Sequence, residues 1–465
     1  MQLNPLFVDQ LRRLLPRDES DAMIHAIAHE HATTAVRYNA VKRFTAAPAI
    51  VERVPWCPSG AYLPERPQFT FDPLLHAGCY YVQDPSSMFI AHIVKSLVVE
   101  PASVLDLCAA PGGKTTAALQ ALPQGSTVVA NEIVPQRAQV LRENVIKWGA
   151  SNCAVTCDSP QTIGEMLANQ MDVIVADVPC SGEGMFRKDH EALAQWSPAL
   201  VEQCAKRQRD ILSQVWPALK PGGLLIYSTC TYNTLENEEI VSYIAATLKA
   251  TPVQVPVEES WRIHPAIDSD YPCYRFLPHC TRGEGLFVSV LRKDDDNLPS
   301  SRTIKPSKTK SPATAAVGDM NNWIVGDYSL VDNNGVVNAV PGHILTTGKG
   351  NFSKLHIIKH FGTELGVVKG KKTIPSHQLA MSTSLNAHAF AAVDVDYPTA
   401  ISYLQGQAIC IDAPRGHVLI KFNGAPLGFV NNLGNRANNL YPKPWRIMSP
   451  HVPAAAPQVA VRCND

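Results

Sequence analysis

SVLDLCAAPGGKTTAAL, residues 103–119, changes character twice. Val104, Leu105 and Leu107 make an apolar run that carries one acid, Asp106. The run breaks at Ala109-Ala110-Pro111-Gly112-Gly113, and good helix formers follow from Lys114 onward. This reads as a strand, a tight turn of small residues and a helix N-terminus. Such a unit seats a nucleotide-like ligand at the edge of a parallel sheet. Glycine there permits positive φ and a close approach of ligand to backbone.

The turn does not fit a phosphate. Gly113-Lys114-Thr115 ends like a phosphate loop, but Cys108 stands where that loop needs its first glycine. Pro111 removes an N–H that a phosphate nest would use, and no Gly-x-Gly-x-x-Gly fingerprint is present. A ligand without phosphates, such as S-adenosylmethionine, remains. Glu132 ends the next apolar run, STVVANE, about 20 residues on, where an acid can accept from both ribose hydroxyls. Asp158 ends a third run, CAVTCD. A plain structural corner with scattered surface acids would also produce this turn, but two acids at strand ends favour the cofactor site.

Composition sets the frame. The chain of 465 residues suggests about three domains. With zero formal net charge, nucleic-acid binding must come from local patches. The 12 cysteines form no secreted-type framework, and neither a signal-peptide core nor a membrane-length apolar run is evident. The expectation is a cytoplasmic protein with reduced thiols, acting as a monomer.

Residues from Asn4 to about Thr45 read as helices, the second opened by a capping Ser20, with Arg12, Arg13, Arg17, Arg37, Lys42 and Arg43 as positive charge. A proline-punctuated arm or small sheet follows, from Pro48 to Pro73. Pro85-Ser86-Ser87 starts the helix FIAHIVKSLVV, with Gln83 and Asp84 as polar groups at the cofactor's mouth or as ordinary caps. Strands at 103–107, 127–131, 152–156, 172–176 and 223–227 alternate with helices at 113–121, 135–148, 198–219 and 234–248, which calls for a parallel sheet covered on both faces. GLFVSVLR (285–292) is a late antiparallel edge. The text from Asp294 to about Gly318 is a Pro/Ser/Lys-rich linker. Short apolar runs separated by Gly, Asn and Pro make the remainder β-rich, and between Lys349 and Lys372 six lysines face one acid, Glu364. His356 and His360 lack the glutamate of a zinc-protease helix, and no cysteine pair has zinc spacing, so no metal is expected.

Two strand ends carry the chemistry. DVIVADVPCSGEG delivers Asp177 and Cys180; LLIYSTCTYNTLENE delivers Cys230, just ahead of a helix opened by Asn233 or Thr234. In a parallel sheet both turns emerge at the cofactor's edge. Two thiols, a carboxylate and a methyl donor suit carbon 5 of a pyrimidine. A thiolate adding at carbon 6 makes carbon 5 nucleophilic, an acid group near ring nitrogen 3 assists, and a second base then removes the carbon-5 hydrogen. A free thiol has a pKa of ~8.5, so the attacking cysteine needs help, for instance from a helix N-terminus. Either cysteine alone would pass as a small buried hydrophobe. An amino-nitrogen methylase would show an aromatic where Asp177-Val-Pro-Cys180 has a thiol.

CAAPGGKT, DVPCSGEG and YSTCTYNTLENE resemble the RNA (cytosine-5) methyltransferases, the family of the Sun and nucleolar protein methylases, and within it the bacterial RsmF-type 16S ribosomal RNA enzymes. The likeness runs from about Gly78 to Lys293. PLGFVNNLGNRANNLYP is similar to their C-terminal PUA-like module. The resemblance implies an α/β, Rossmann-like S-adenosylmethionine-dependent core (78–293) after a mainly helical, RNA-binding N-terminal region (1–77). It implies a linker (294–319), a small module (320–380) and a PUA-like RNA-binding domain (381–465). Cys108, Ala109, Ala110, Pro111, Gly112, Gly113, Lys114, Glu132, Asp158 and Asp177 would form the cofactor site. Cys230 would be the nucleophile and Cys180 the thiol that helps release product, with structured ribosomal RNA as partner. A transfer RNA substrate, or an assembly factor with a vestigial methylase domain, are the alternatives; binding alone would not need both cysteines.

Overall fold

The computed structural model describes residues 1–45, 52–294, 319–347, 354–370, 372–457 and 459. The expected linker, together with Pro48, Lys349 and Lys371, lies outside the described residues.

Two helices, α1 (Pro5–Leu14) and α2 (Arg17–His29), open the chain. Asn4 caps the first; Pro16 precedes the second, so Ser20 is an interior residue bonded to the Arg17 carbonyl and not a cap. The helical reading fails after His31. Thr34–Tyr38 is a strand, β1, which pairs with β3 (Cys57–Leu63) and β4 (Tyr80–Val82), and β2 (Arg53–Val54) completes the sheet. Val36 and Tyr38 bury their side chains there, a β-branched and an aromatic residue at period two. The boundary drawn at 77/78 crosses this sheet. After α3 (Pro73–His76), the helix α4 (Phe89–Leu97) starts where Pro85 and two serines predict, and Ile90, Ile93 and Val94 pack with Val104.

The core follows. Strands β5 (Ser103–Asp106), β6 (Thr127–Asn131), β7 (Cys153–Thr156), β8 (Met171–Asp177) and β9 (Leu219–Thr229) are parallel, in the spatial order β9-β8-β5-β6-β7. Strand order reverses between β5 and β8, which opens a crevice at their carboxyl ends. Side chains alternate: Val104, Val173 and Ile226 face one layer with α4, while Leu105, Ile174 and Leu225 face the other. The helices are α5 (Gly113–Ala121), α6 (Pro135–Trp148), α7 (Pro160–Met166), α8 (His190–Gln195), α9 (Pro198–Val215) and α10 (Glu238–Thr247). The α9 helix stops short of the expected 219 because Pro217 cannot continue it. Beyond β9 come β10 (Ala250–Pro252), β11 (Cys273–Phe276) and β12 (Leu286–Lys293). β12 is antiparallel to β9 as expected, but it is not an edge, since β10 and β11 both pair with it.

The third part holds a sheet of β13 (Tyr328–Asn333), β14 (Val336–Pro341), β16 (Thr363–Lys369) and β17 (Lys372–Pro375), with the helices α11 (Gly342–Thr347) and α12 (His377–Met381). Its strand β15 (Ile357–Lys359) leaves that sheet and pairs antiparallel with β7, closing the core's edge. The last sheet is β18 (Ala391–Asp394), β19 (Gly416–Phe422), β20 (Ala425–Asn432) and β21 (Ala437–Asn439), with α13 (Tyr397–Leu404) against it. No described helix is long and apolar enough to cross a membrane.

Candidate active site

The turn after β5 lies at the strand-order reversal. Gly112, at φ 111°, caps α5 in a conformation few side chains adopt, and the Ala110–Pro111 bond is cis. Asp106 is buried beneath the turn, where its Oδ2 accepts from Thr115 Oγ1 at 2.6 Å and its Oδ1 has no partner among the described residues. Burial pushes its carboxyl up to about 7. Glu132 is also buried. Its Oε1 accepts from the Val134 N–H at 3.0 Å; its Oε2 makes no hydrogen bond and lies 3.5 Å from the Arg137 guanidinium. Two buried carboxylate oxygens without donors suit a ligand that brings hydroxyl and ammonium groups, as the ribose and amino acid ends of S-adenosylmethionine do.

Asn131, which the sequence reading missed, ties three strand ends together. Its Nδ2 donates to the carbonyls of Leu107 and Asp158; its Oδ1 accepts from Thr156 Oγ1 and the Asp158 N–H. Asp158 therefore stands at the same edge, but its Oδ2 accepts from the His356 N–H of the third part at 2.9 Å.

Across the crevice the two thiols meet. Cys180 Sγ lies 3.2 Å from Cys230 Sγ and accepts from the Cys230 N–H at 3.3 Å. Hydrogen bonding to Cys230, then burial, push the Cys180 thiol well above its ordinary value. Asp177 lies at the end of β8, its Oδ2 2.7 Å from Lys114 Nζ and its Oδ1 accepting from Ser228 Oγ at 2.8 Å. Burial lowers the Lys114 ammonium, but Asp177 outweighs it and the net direction is up. Lys114 thus links the cofactor turn to the thiol side of the crevice.

What holds the thiol loops is not what the sequence suggested. The helix expected from Asn233 or Thr234 begins only at Glu238, because 234–237 are an irregular turn. Cys230 therefore has no helix N-terminus directly behind it. Buried carboxylates fix the loops instead. Glu183 Oε1 accepts from Gln10 Nε2, Trp196 Nε1 and Asn233 Nδ2, and its Oε2 from the Tyr232 and Asn233 N–H groups. Glu236 Oε2 accepts from the Ser181 N–H at 3.0 Å and Gln208 Nε2 at 2.8 Å; its Oε1 accepts from Asn233 Nδ2 and Ser181 Oγ. The Ser-Gly-Glu-Gly and Asn-Thr-Leu-Glu strings carried the signal, as acids within turns that follow buried strands.

Other expected groups are engaged by neighbours. Gln83 Oε1 accepts from Arg37 Nε at 2.8 Å, and its side chain lies against Gly113 of the cofactor turn with Nε2 lacking a hydrogen-bond partner among the described residues. Arg37 is no surface charge, being fully buried against Gln120, Thr116 and the Trp148 ring. Asp84 caps the turn before α4 through the Ser86 N–H and ion-pairs with Lys188. Of the lysine cluster, Lys354, Lys369 and Lys372 are exposed, but Lys359 is buried at the β7 edge. No group of His, Cys, Asp or Glu among the described residues could hold a metal ion.

Three family models match this chain. That of 16S rRNA methyltransferase RsmB/F covers residues 97–292, that of the N-terminal domain of 16S rRNA methyltransferase RsmF residues 3–85, and that of the methyltransferase RsmF PUA domain residues 390–447. The ribosomal RNA small subunit methyltransferase F of Salmonella agona is 30% identical over 414 residues, 84% of each chain. That of Shewanella loihica is 28% identical over 480 residues, 95% of each chain. In fold, the core is similar to NSun6 from Pyrococcus horikoshii, solved with the S-adenosylmethionine analogue SFG, at a TM-score of 0.52 and 18% identity over 63% of this chain and 99% of that one. The crevice between β5 and β8 is thus set in a chain that belongs to the RsmF family of S-adenosylmethionine-dependent 16S rRNA methyltransferases.

Proposed function

We propose that this chain methylates carbon 5 of a cytosine in 16S ribosomal RNA, with Cys230 as nucleophile. The observation that carries the reading is the pair of thiols 3.2 Å apart, at the ends of adjacent parallel strands, beside the Asp177–Lys114 pair. The 108–114 turn, Glu132, Asp158 and Asp177 hold S-adenosylmethionine, which supplies an electrophilic methyl group on a sulfonium. Cys230 Sγ adds to carbon 6 of the cytosine, and electron density moves to carbon 5. Asp177 is placed to serve the acid role at ring nitrogen 3. After methylation carbon 5 loses its hydrogen and the Cys230–carbon 6 bond breaks; Cys180 acts at this release. The base must leave its stack to reach a crevice at a sheet edge. The PUA-type sheet and the exposed Lys354, Lys369 and Lys372 of the module that precedes it in the chain supply the RNA contact, and the chain works in the cytoplasm, where its substrate is assembled.

The test uses the two thiols separately. Cys230→Ala should abolish methylation and any covalent adduct. Cys180→Ala should attack, methylate and fail to let go, leaving a protein–RNA adduct that survives a denaturing gel. An adduct with Cys230→Ala and none with Cys180→Ala would reverse the roles.

A further inference from the structure

Behind the thiols the charge is one-sided. Each oxygen of Glu236 accepts from two donors, and those donors are two side-chain amides, a hydroxyl and a backbone N–H. Among the described residues no donor to Glu236 or Glu183 is a lysine or arginine. Burial pushes Glu236 upward from its ordinary value, and the donors around its oxygens work against that shift by favouring the anion. Its anion bonds to the N–H and hydroxyl of Ser181, the residue next to Cys180. The cation of the site, Lys114, bonds to Asp177 Oδ2, and Asp177 Oδ1 accepts from Ser228 Oγ, two residues before Cys230.

We propose that Glu236 is a positioning residue that assigns the two thiols their roles: its carboxylate keeps the proton on Cys180, while Cys230, on the Lys114 side, is the thiol that ionises. The assignment deepens the reading of one thiol as nucleophile and the other as its partner at release. It needs no helix dipole behind Cys230. A protonated Cys180 can donate to the Cys230 thiolate across the 3.2 Å between them, which favours ionisation of Cys230.

Other groups face Cys180 as well. Tyr227 on β9 lies within electrostatic reach of Cys180 and of Arg209. Cys204 on α9 stands near Glu236, Cys230 and Arg207. Glu183 and Asp177 add negative charge from Cys180's own loop and strand. The arginines belong to the α9 side, and neither donates to Glu236.

The test is the pH midpoint of alkylation by iodoacetamide, read by peptide mass spectrometry on the full chain. In a Cys230→Ser background, Glu236→Gln should lower the Cys180 midpoint by about one pH unit, a tenfold faster reaction below it. Glu236→Asp, which keeps the charge, should leave the midpoint up. An unchanged midpoint in Glu236→Gln, or an equal fall in both variants, overturns the proposal. Cofactor binding by calorimetry reports whether Glu236→Gln is folded. If it is not, the unsubstituted chain decides: the Cys230 midpoint must lie below that of Cys180, and the reverse order overturns the proposal. None of these readouts requires methyl transfer. The expected midpoints together with no RNA adduct from Cys180→Ala would sink the cytosine reading and leave this one standing.

Discussion

The central sheet is finished differently at its chemical edge and at its far side. The loops after β8 and β9 have little regular structure, and buried carboxylates hold them by accepting from side chains and N–H groups of several segments, α1 included. At the far side, β15 lays a short backbone ladder on β7, and a single buried cation, Lys359, donates to the carbonyls of Cys153, His360 and Gly362. Irregular backbone must satisfy its polar groups one by one, whereas a strand satisfies them by register. The first solution places reactive atoms; the second only closes an edge.

If that contrast is real, the largest loss should come from the first side. Glu183→Ala removes an acceptor from five donors, of which only Asn233 Nδ2 keeps another in Glu236, and two are backbone N–H groups beside Cys230. It should lower stability by ~3 kcal/mol or more in a urea titration and remove turnover. A loss under about 1 kcal/mol would mean that the loops are held by packing, for example by Phe7 on Phe186 and Trp196. Next comes Glu132→Ala, which on the proposed reading takes charge-assisted acceptors from the ribose hydroxyls. Calorimetry should show S-adenosylmethionine weakened by ~1.5–3 kcal/mol, and unchanged affinity would remove Glu132 from the site.

The contrast also sorts what could be read from the sequence. The turn at 108–114, the acids at the ends of β6 and β8 and both cysteines were legible because strand, break and chemistry fall within a few residues. Their supports were not. Gln10 and Glu183 are distant in sequence, and nothing in PLFVDQLRRL says that its glutamine points at a carboxylate. The burial of Arg37 and Lys359 was not legible, because a buried cation announces itself only through its acceptors, which lie far along the chain. LHIIKH is equally mute about β7, since an antiparallel partner so remote leaves no local periodicity.

The third outcome links the two sides. The His356 N–H donates to Asp158, one of the carboxylates proposed to hold the cofactor. His356→Pro should weaken S-adenosylmethionine by about 1 kcal/mol, several-fold in dissociation constant. An unchanged constant would make the β15 edge irrelevant to the cofactor.

The smallest effect at neutral pH is the most diagnostic of the second solution. Burial brings the Lys359 ammonium down to about 8, against about 10.4 for an unfolded chain. Between those values the unfolded chain binds the proton that the folded chain has released, so raising pH favours the fold. Below about pH 8 both states are protonated, and the charge stays buried on its three carbonyls. Lys359→Met keeps the apolar stem and removes the proton; near pH 7 the lost hydrogen bonds and the lost burial cost of the charge nearly cancel, within about 1 kcal/mol. The variant loses the pH term, so the stability of the unsubstituted chain minus that of Lys359→Met should rise by up to ~1.4 kcal/mol per pH unit from about pH 8 to 10. Burial pushes the Cys153 thiol up to about 12, so in the folded chain it keeps its proton over this range, and its titration in the unfolded chain is common to both proteins and drops out of the difference. Urea titrations at pH 7.5 and 9.5 measure it. A difference that stays flat would mean that Lys359 reaches solvent in the folded chain, and the edge would then be closed by its ladder alone.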